Sequence, residues 1–491
     1  MSAPNINELL IKEKQSLKEA LQLIDSNAQG ICFVVDDSGK LIGVLSDGDI
    51  RRAFLSGKNV NSLVSDSMQK HFTALDVNTP IDVIQSKLSS KIRHIPLVDE
   101  KFHPVDYASH SRLHRIPIME PLLTGNELAY VTDCIKSGWI SSQGSYVKQF
   151  EKIIAEFCHM PYALAVSNGT VALHLALEAL GIGEGDEVIV PDITFAASIN
   201  AVIYTGATPV LVDITHDTWT MDISSIEKAI TKKTKAIMPV HLYGHPCAMD
   251  ELISITKKNN LLIIEDCAES LGAEYKGKPT GSFSDAATFS FFGNKTITTG
   301  EGGMILFKDK NVYEKACVLR DHGMSKQKKY WHEFIGYNYR LTNLQAAVGV
   351  AQMEKVETFV NAKRKLAQRY NSIFSKQKGI VSPAEKSWAK NSYWLYTVLV
   401  EKEFGISRDE LISKLLKNGV ETRPVFYPLH VMPPYKKFIR EGQSFPNSDH
   451  ISQNGISLPS SVTLSDSELT SIENAIQSIF NARQMSRPAV G

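Results

Sequence analysis

The chain has 491 residues, and its 53 Lys and Arg residues balance 53 Asp and Glu residues. This balance gives no sign of a nucleic acid or an anionic membrane as a partner and favours a small-molecule partner, while the length predicts about three structural units. The six cysteines are scattered without a C-x-x-C pair, which argues against a disulfide framework and a zinc site.

The N-terminal stretch "MSAPNINELLIKEK" lacks the basic and then apolar pattern of a signal peptide. In addition, no run of about 18 apolar residues offers a membrane span. We therefore expect a soluble cytoplasmic protein.

Two stretches before about residue 104 share one pattern, an amphipathic segment followed by two strand-like runs. The first ends in "GICFVVDDSGKLIGVLSDGDIRRAF", and the second runs from "TPIDVIQSKLSSK" to "IRHIPLVDEKFHPVDYAS". The pattern predicts an internal repeat of helix, strand, turn and strand. Residues 1–112 therefore resemble a CBS pair, a regulatory module that often binds adenine nucleotides between its two repeats.

Gly43, Ser46 and Asp49 match the CBS pattern G-x-x-S/T-x-x-D in the first repeat. The resemblance implies that this hydroxyl and this carboxylate meet the phosphate and ribose of a nucleotide. The second repeat, "HPVDYASH", has neither the glycine nor the closing aspartate at that spacing. Two interpretations stay open: an adenine or other nucleotide site, and a packing or oligomerisation unit.

From about Ile116 the chain alternates helical segments with short apolar runs. Such runs suit a parallel sheet buried on both faces, so we predict an α/β domain with a doubly wound sheet. Beyond about residue 360 the pattern becomes helix-rich and predicts a smaller C-terminal domain. The apolar runs are "YALAVS", "DEVIVP", "TPVLVDI", "KAIMPVH", "LLIIED" and "GMILF".

Two strand-like runs end in polar residues, where ligands bind in open α/β folds. "YALAVS" leads into Asn168, Gly169 and Thr170 at a helix start, which would seat a phosphate or simply form an N-cap. "LLIIED" ends in Glu265 and Asp266, a position from which a carboxylate can hold a heteroaromatic nitrogen in its protonated state.

A third stretch, "FFGNKTITTGEGGMI", surrounds Lys295 with aromatic and small residues. We expect Phe291 and Phe292 to desolvate the amine and lower its pKa, as a Schiff-base lysine requires. The glycines from Gly300 to Gly303 would let the chain turn sharply beside a bulky ligand. Phosphate seat, carboxylate and lysine together describe a pocket for pyridoxal 5'-phosphate.

These residues sit in a longer series of motifs that includes "PLLTGNE", "GWISSQGSYVKQFE", "HLYGHPC", "GYNYRLTNLQAA" and "ETRPVFYPLH". The stretch from about Ile116 to Phe480 resembles the DegT/StrS family of sugar-nucleotide aminotransferases. The resemblance implies a fold-type I enzyme with a mostly parallel seven-stranded sheet in a large domain over 117–360. A small α+β domain would occupy 361–485.

The resemblance also implies roles for individual residues. Lys295 would form the Schiff base and move the proton between cofactor and substrate carbon, Asp266 would pair with the pyridine nitrogen, and Glu269 would lie near the ring hydroxyl. Three further residues would hold the phosphate: Gly169, Thr170 and Ser290.

Several of these motif residues have two interpretations. Phe195 corresponds to the aromatic that stacks on the cofactor ring, and would otherwise be a core residue. Asn338 corresponds to the residue that reaches the phosphate of the neighbouring subunit, which implies at least a homodimer. Arg340 would do the same or form an interface ion pair. Arg423 and His430 are candidates for binding the sugar nucleotide or the donor carboxylate, or for a structural ion pair.

"HLYGHP" has an H-x-x-x-H spacing, but its Gly and Pro deny it a helix and no acid completes a ligand set, so we predict no metal there. The implied reaction moves the amino group of L-glutamate to C4 of a nucleotide-linked 4-keto-6-deoxy sugar, on the way to surface polysaccharide. GDP-4-keto-6-deoxy-mannose is favoured over a UDP-linked 4-keto-6-deoxy-HexNAc. The alternative is a nucleotide-sensing regulator with a residual enzyme half.

Overall fold

The computed structural model describes residues 6–89, 91–109 and 115–485 of the chain. The chain divides into two compact units, residues 1–115 and 116–491. Among the described residues, no helix has both the length and the apolar character that a membrane span requires. The predicted domain boundary at residue 112 lies outside the described residues.

The first unit contains the predicted repeat as two three-stranded sheets. In each sheet the first strand pairs parallel with the second, and the second pairs antiparallel with the third. The first half comprises β1 (Leu10–Lys12), α1 (Leu17–Asn27), β2 (Ile31–Val35), β3 (Leu41–Ser46) and α2 (Asp47–Leu55); the second comprises β4 (Leu75–Asp76), α3 (Ile81–Lys87), β5 (His94–Val98) and β6 (Pro104–Ser109).

The second unit is built on a seven-stranded sheet in the order β7-β15-β14-β11-β10-β8-β9. Six strands run in one direction, and β15 runs antiparallel to both of its neighbours. The strands are β7 (Tyr162–Val166), β8 (Glu187–Pro191), β9 (Thr208–Val212), β10 (Thr234–Ile237), β11 (Leu262–Asp266), β14 (Ala286–Ser290) and β15 (Gly303–Phe307), while β12 (Glu274–Tyr275) and β13 (Lys278–Pro279) form a side hairpin.

Helices cover this sheet on both faces, as a doubly wound sheet requires. Ala163 and Ala165 of β7 belong to one apolar core, whereas Leu164 and Val166 belong to the other, because successive side chains of a strand point to opposite faces. The helices up to the end of the sheet region are α4 (Glu127–Ser137), α5 (Ser145–Phe157), α6 (Gly169–Ala179), α7 (Ala197–Tyr204), α8 (Ile223–Ala229), α9 (Met249–Asn259), α10 (Lys310–Arg320) and α11 (Asn343–Met353).

The C-terminal part packs helices against a four-stranded antiparallel sheet in the order β16-β18-β20-β19. The mostly parallel sheet and this α+β part confirm the predicted fold class. The predicted boundary at residue 360 falls inside a helix. The elements are α12 (Val356–Phe374), β16 (Ile380–Val381), β17 (Ala389–Lys390), β18 (Tyr396–Val400), α13 (Arg408–Lys417), β19 (Arg423–Pro424), α14 (Pro446–Asn454), β20 (Gly455–Leu458) and α15 (Asp466–Met485).

Candidate active site

Three predicted site segments meet at one edge of the seven-stranded sheet. β7, β11 and β14 are parallel, so their carboxyl ends at Val166, Asp266 and Ser290 share an edge. The antiparallel strand β15 begins at this edge, where its first residue, Gly303, lies opposite both Ser290 and Val166. The lysine-bearing loop, residues 291–302, therefore leaves the sheet at the end of β14 and re-enters it at the start of β15, on the same edge as Asp266.

The lysine-bearing loop is closed by backbone hydrogen bonds. The N–H groups of Lys295 and Thr299 donate to the carbonyls of Phe292 and Phe291, both over 2.9 Å. Gly300 has φ of +80°, which a side chain would strain, so the sharp turn predicted here needs that glycine. A Cβ on Gly303 would lie 2.5 Å from the carbonyl oxygen of Asn168, so this glycine allows close backbone approach.

The surroundings of the Lys295 amine differ in part from the prediction. Phe291 is buried in the core under the sheet, and Phe292 is 48% exposed, so neither ring is what encloses the amine. Nζ instead lies 3.9 Å from the ring centroid of Trp394 and 3.8 Å from Oε1 of Glu269. Burial lowers the pKa of Lys295, against the opposing charges of Glu269 and Asp266.

Glu269 is fixed by the chain that follows β10. Its Oε2 accepts a hydrogen bond of 2.8 Å from the backbone N–H of Tyr243. Burial raises the pKa of Glu269 to about 7, although the Lys295 charge and this hydrogen bond act in the opposite direction. A carboxyl with such a pKa can hold or release a proton near neutral pH.

Asp266 is buried at the end of β11 and oriented by two donors. Its Oδ2 accepts from the Ser198 hydroxyl over 2.8 Å, and its Oδ1 accepts from the Ala268 N–H over 3.1 Å. Ser198 is in turn bonded to the Thr194 hydroxyl over 2.8 Å. Burial raises the pKa of Asp266, and the Ser198 bond opposes that rise. A cation beside it would restore the ionised form.

The predicted phosphate seat lies at the start of α6. The Asn168 side chain caps the helix by accepting from Val171 N–H over 3.0 Å, and among the described residues no acceptor faces the N–H groups of Gly169 and Thr170. A Cβ on Gly169 would lie 2.8 Å from Cβ of Ser290. The helix start and Ser290 thus form a tight polar cradle at the positive end of a helix.

Phe195 follows β8 at the same edge of the sheet. Its side chain is 61% exposed, and its ring lies 6.0 Å from that of Phe426. The core interpretation of Phe195 is therefore wrong. An exposed flat ring at a strand end is available to stack on a planar ligand.

Asn338 and Arg340 lie on the segment after the loop of residues 324–335. Asn338 is exposed and lies opposite Asp321 in a β-bridge. The guanidinium of Arg340 forms an ion pair with the Asp321 carboxylate of the same chain. Arg340 thus has a partner within the chain.

His430 contacts two carboxylates of its own chain, as its structural interpretation requires. Its Nδ1 lies 2.6 Å from Oδ2 of Asp192, its Nε2 lies 3.4 Å from Asp449, and its ring stacks on Phe445 with centroids 4.7 Å apart. These contacts join the end of β8 to the C-terminal part. Arg423 is exposed on β19.

The two histidines of "HLYGHP" differ, because His245 uses both ring nitrogens within the chain, whereas the buried Nε2 of His241 has no hydrogen-bond partner among the described residues. His241 Nδ1 accepts from Cys247 N–H over 3.0 Å, so its proton is on Nε2, which lies 3.8 Å from Glu265. His245 Nδ1 lies 2.8 Å from the Pro246 carbonyl, and its Nε2 accepts from Lys386 N–H. His241, Glu265 and Cys267 lie within 4.8 Å of one another, but a histidine whose Nε2 carries its proton is a donor there and not a metal ligand.

The first unit has its own cavity of about 970 Å³, lined by both repeats. Ser46 and Asp49 line it from the first repeat, and Arg93 and His94 from the second. The carboxylate of Asp49 accepts from the Ser46 N–H and hydroxyl, from Gln69 and from Arg52, over 2.5 to 2.9 Å. These bonds outweigh burial, so the pKa of Asp49 is lowered.

The chain matches the family described as DegT/DnrJ/EryC1/StrS aminotransferase over residues 121–477, and the CBS domain over residues 4–56. GDP-perosamine synthase of Escherichia coli O157:H7 is 48% identical over 370 residues, which are 74% of this chain and 99% of that protein. GDP-perosamine synthase of Vibrio cholerae is 45% identical over 368 residues, again 74% and 99%. The PLP form of Spr1654 from Streptococcus pneumoniae has a TM-score of 0.71 at 32% identity, covering 75% of this chain and 99% of that chain.

The chain belongs to the DegT/DnrJ/EryC1/StrS aminotransferase family. It is an aminotransferase with pyridoxal 5'-phosphate as its cofactor, and it carries an N-terminal CBS domain. The site fits this cofactor, because a glycine cradle too tight for a Cβ faces Ser290, and a buried carboxylate and a partly buried amine lie at the same edge of the sheet.

Three residues around the aminotransferase site were missed from the sequence: Trp394, Ser198 and Tyr243. Trp394 lies in "NSYWLYTVLV", which signalled only a strand, and Tyr243 acts through its backbone N–H. Ser198 follows Phe195 by three residues and faces the carboxylate from the start of α7. Its position on a helix after a strand end was the one available signal.

Proposed function

We propose that this aminotransferase moves the amino group of L-glutamate to C4 of a nucleotide-linked 4-keto-6-deoxy sugar, with GDP-4-keto-6-deoxy-D-mannose as the substrate and GDP-perosamine as the product. The observation that carries the proposal is a partly buried lysine amine held between Glu269 and Trp394 at the carboxyl edge of the parallel strands. The two GDP-perosamine synthases that match nearly end to end support the choice of sugar.

When bound, pyridoxal 5'-phosphate supplies an aldehyde that condenses with amines and a ring that accepts the electrons of a breaking C–H bond. In this proposal Asp266 holds the ring nitrogen protonated, and Gly169, Thr170 and Ser290 bind the phosphate. Phe195 stacks on the ring. Lys295 moves a proton between the substrate carbon and the cofactor, and Glu269 keeps the Lys295 amine oriented.

We also propose that the enzyme works as a homodimer whose sites are completed across the interface by Asn338. Leu128 and Ile135 of α4 are 81% and 64% exposed, and they lie two turns apart on one helix face. Trp139 and Ile140 follow with exposed side chains. Apolar exposure of this kind supports burial against a second copy. The cytoplasmic location stays a prediction.

The test is amine transfer from ¹⁵N-labelled L-glutamate, followed by mass spectrometry of the sugar nucleotide. We expect ¹⁵N in the amino sugar formed from GDP-4-keto-6-deoxy-D-mannose and at most trace ¹⁵N in any product of the UDP-linked 4-keto-6-deoxy-HexNAc. Label only in the UDP sugar would move the proposal to that substrate. Absence of ¹⁵N from the products of both sugars, with cofactor bound, would contradict the proposed amine transfer.

The cavity of the first unit favours a second function, nucleotide binding that regulates the enzyme. Its lining carries basic side chains, which suit phosphates, and Ser46 and Asp49 provide a hydroxyl and a carboxylate for phosphate and ribose. Because Asp49 already accepts several hydrogen bonds, a ribose hydroxyl would have to displace Gln69 or Arg52. Calorimetric titration of the full chain with ATP, ADP and AMP tests binding, and amine transfer measured with each nucleotide tests coupling.

A further inference from the structure

Among the described residues, Trp394 is the one aromatic residue whose ring lies against the Lys295 amine. The centroid of its ring lies 3.9 Å from Nζ of Lys295, and the residue is buried. An ammonium group over an indole face is attracted by the negative face of the ring, more strongly where water is excluded. Besides the indole ring, two charged groups act on the amine, the carboxylates of Glu269 and Asp266.

The indole is tied to the chain segment that carries the lysine. Its Nε1–H donates to the carbonyl of Asn294 over 2.7 Å, and Asn294 immediately precedes Lys295. The backbone carbonyl of Trp394 accepts from the buried amine of Lys363 over 3.1 Å. One bond fixes the ring to the lysine-bearing loop, and the other fixes the backbone of Trp394 to α12.

The same ring is tied to the other group that contacts the amine. Trp394 stacks on Tyr243 with centroids 6.1 Å apart and planes at 17°. The backbone N–H of Tyr243 is the donor that holds Glu269. The two groups on either side of Nζ are thus parts of one packed unit, and their spacing is set together.

We propose that Trp394 is a positioning residue that holds the Lys295 amine whenever that amine is not bonded to the cofactor, and that stabilises the ammonium form which the amine adopts between taking a proton and returning it. This inference rests on the proposed aminotransfer, in which Lys295 gives and takes a proton. Glu269 offers a carboxylate and Trp394 an aromatic ring face, so the free Lys295 amine is held at one position between them.

The test uses full-length enzyme loaded with pyridoxamine phosphate, in which the Lys295 amine is free. Competitive acetylation at a series of pH values, with mass spectrometry of the Lys295 peptide, gives the pKa of this amine without any sugar substrate. The variants are W394F, which keeps a ring face, and W394M, which removes it at similar size. W388M is the control, because Trp388 packs on His245 and Tyr275 instead.

We expect W394M to lower the pKa of the Lys295 amine by about one unit and W394F to lower it by less than half of that. We also expect W394M to slow exchange of the α-hydrogen of L-glutamate with solvent about tenfold, with W388M unchanged. An unshifted pKa in folded W394M, or an equal shift in W394F and W394M, would overturn the proposal. Because acetylation needs no turnover, failure of amine transfer to sugars would be seen separately.

Discussion

The two units of the chain each bury an aspartate beside a helix or strand end, and the two carboxylates differ in how many donors they meet. Asp49 is 6% exposed and accepts from the N–H and hydroxyl of Ser46, from Gln69 and from Arg52. Asp266 is 5% exposed and accepts from Ser198 and Ala268. An ionised carboxylate has about four acceptor sites, so Asp49 is filled and Asp266 has room for a further donor.

The pKa directions follow from this count. Burial raises the pKa of Asp266, whereas hydrogen bonds outweigh burial and lower the pKa of Asp49. A protonated ring nitrogen can add to Asp266 without displacing anything and relieves its burial cost. A ligand at Asp49 must first replace a donor. The number of hydrogen-bond donors at a buried carboxylate therefore distinguishes Asp49, whose acceptor sites are filled within the fold, from Asp266, which can still accept a bond from a cation.

The largest effect is expected from D266N, which keeps the shape of the side chain and removes its charge. Without the carboxylate the ring nitrogen is no longer held protonated, so amine transfer should fall about 10³-fold. Steady-state transfer from L-glutamate measures it. D250N, at an exposed ion pair with Lys276, should change the rate by less than about twofold.

D49N is the matched change in the first unit. The visible absorbance of bound cofactor should be the same as in the unmutated enzyme, because Asp49 belongs to the other unit. If D49N lost the cofactor, or D266N kept full activity, the contrast between the two acids would be broken.

The second effect concerns Glu269 and pH. Burial raises its pKa from 4.5 to about 7, so in the cofactor-free protein it stays protonated in the fold where the unfolded chain ionises it. Its contribution to stability is therefore present below about pH 4.5 and is lost as the pH rises to about 7. E269Q has no such loss, so its free energy of unfolding relative to the unmutated chain should rise by up to about 3 kcal/mol between pH 5 and 8.

Urea unfolding of the cofactor-free proteins at both pH values checks this, read on the transition of the second unit. Other carboxylates cancel in the comparison. A difference between E269Q and the unmutated protein that stays flat with pH would mean that Glu269 is ionised in the fold throughout.

Several parts of this picture follow from local sequence and several do not. The strand β11 and its final Asp266, and the small-residue loop around Lys295, are contiguous motifs, so their chemistry could be predicted. Trp394 lies about a hundred positions from Lys295, and only the packing of the C-terminal part onto the sheet brings its ring to the amine. The antiparallel direction of β15 was likewise invisible, since a short buried run has the same composition in either direction.

His430 shows the same limit from the other side. Its motif left two interpretations open, a contact with the sugar nucleotide or the donor carboxylate, and a structural ion pair. The fold gives it Asp192, which lies far away in the chain and is fully buried. Long-range pairing of this kind leaves no mark in the local pattern.

The third effect compares the first turns of two helices. Alanine at Gly169 would place a Cβ 2.8 Å from Cβ of Ser290, so the cradle must open. We expect the dissociation constant of the cofactor to rise about tenfold. G48A, in the first turn of α2, has its nearest contact at 3.5 Å and should leave cofactor affinity unchanged. Fluorescence titration of the cofactor-free variants measures both dissociation constants. Equal cofactor affinities in G169A and G48A would show that Gly169 does not contribute to phosphate binding.

The smallest effect separates capping from ligand binding in the first unit. Ser16 and Ser46 each form a capping box, with Glu19 and Asp49 respectively, but only Ser46 lines the cavity. Loss of either hydroxyl should cost about 1 kcal/mol of stability in the first unit. If the cavity binds a nucleotide through this position, S46A should also weaken ATP binding several-fold in calorimetry, whereas S16A should not. Equal ATP affinity in the two variants would mean that Ser46 only caps its helix. Nucleotide binding would then depend on the basic side chains that line the cavity.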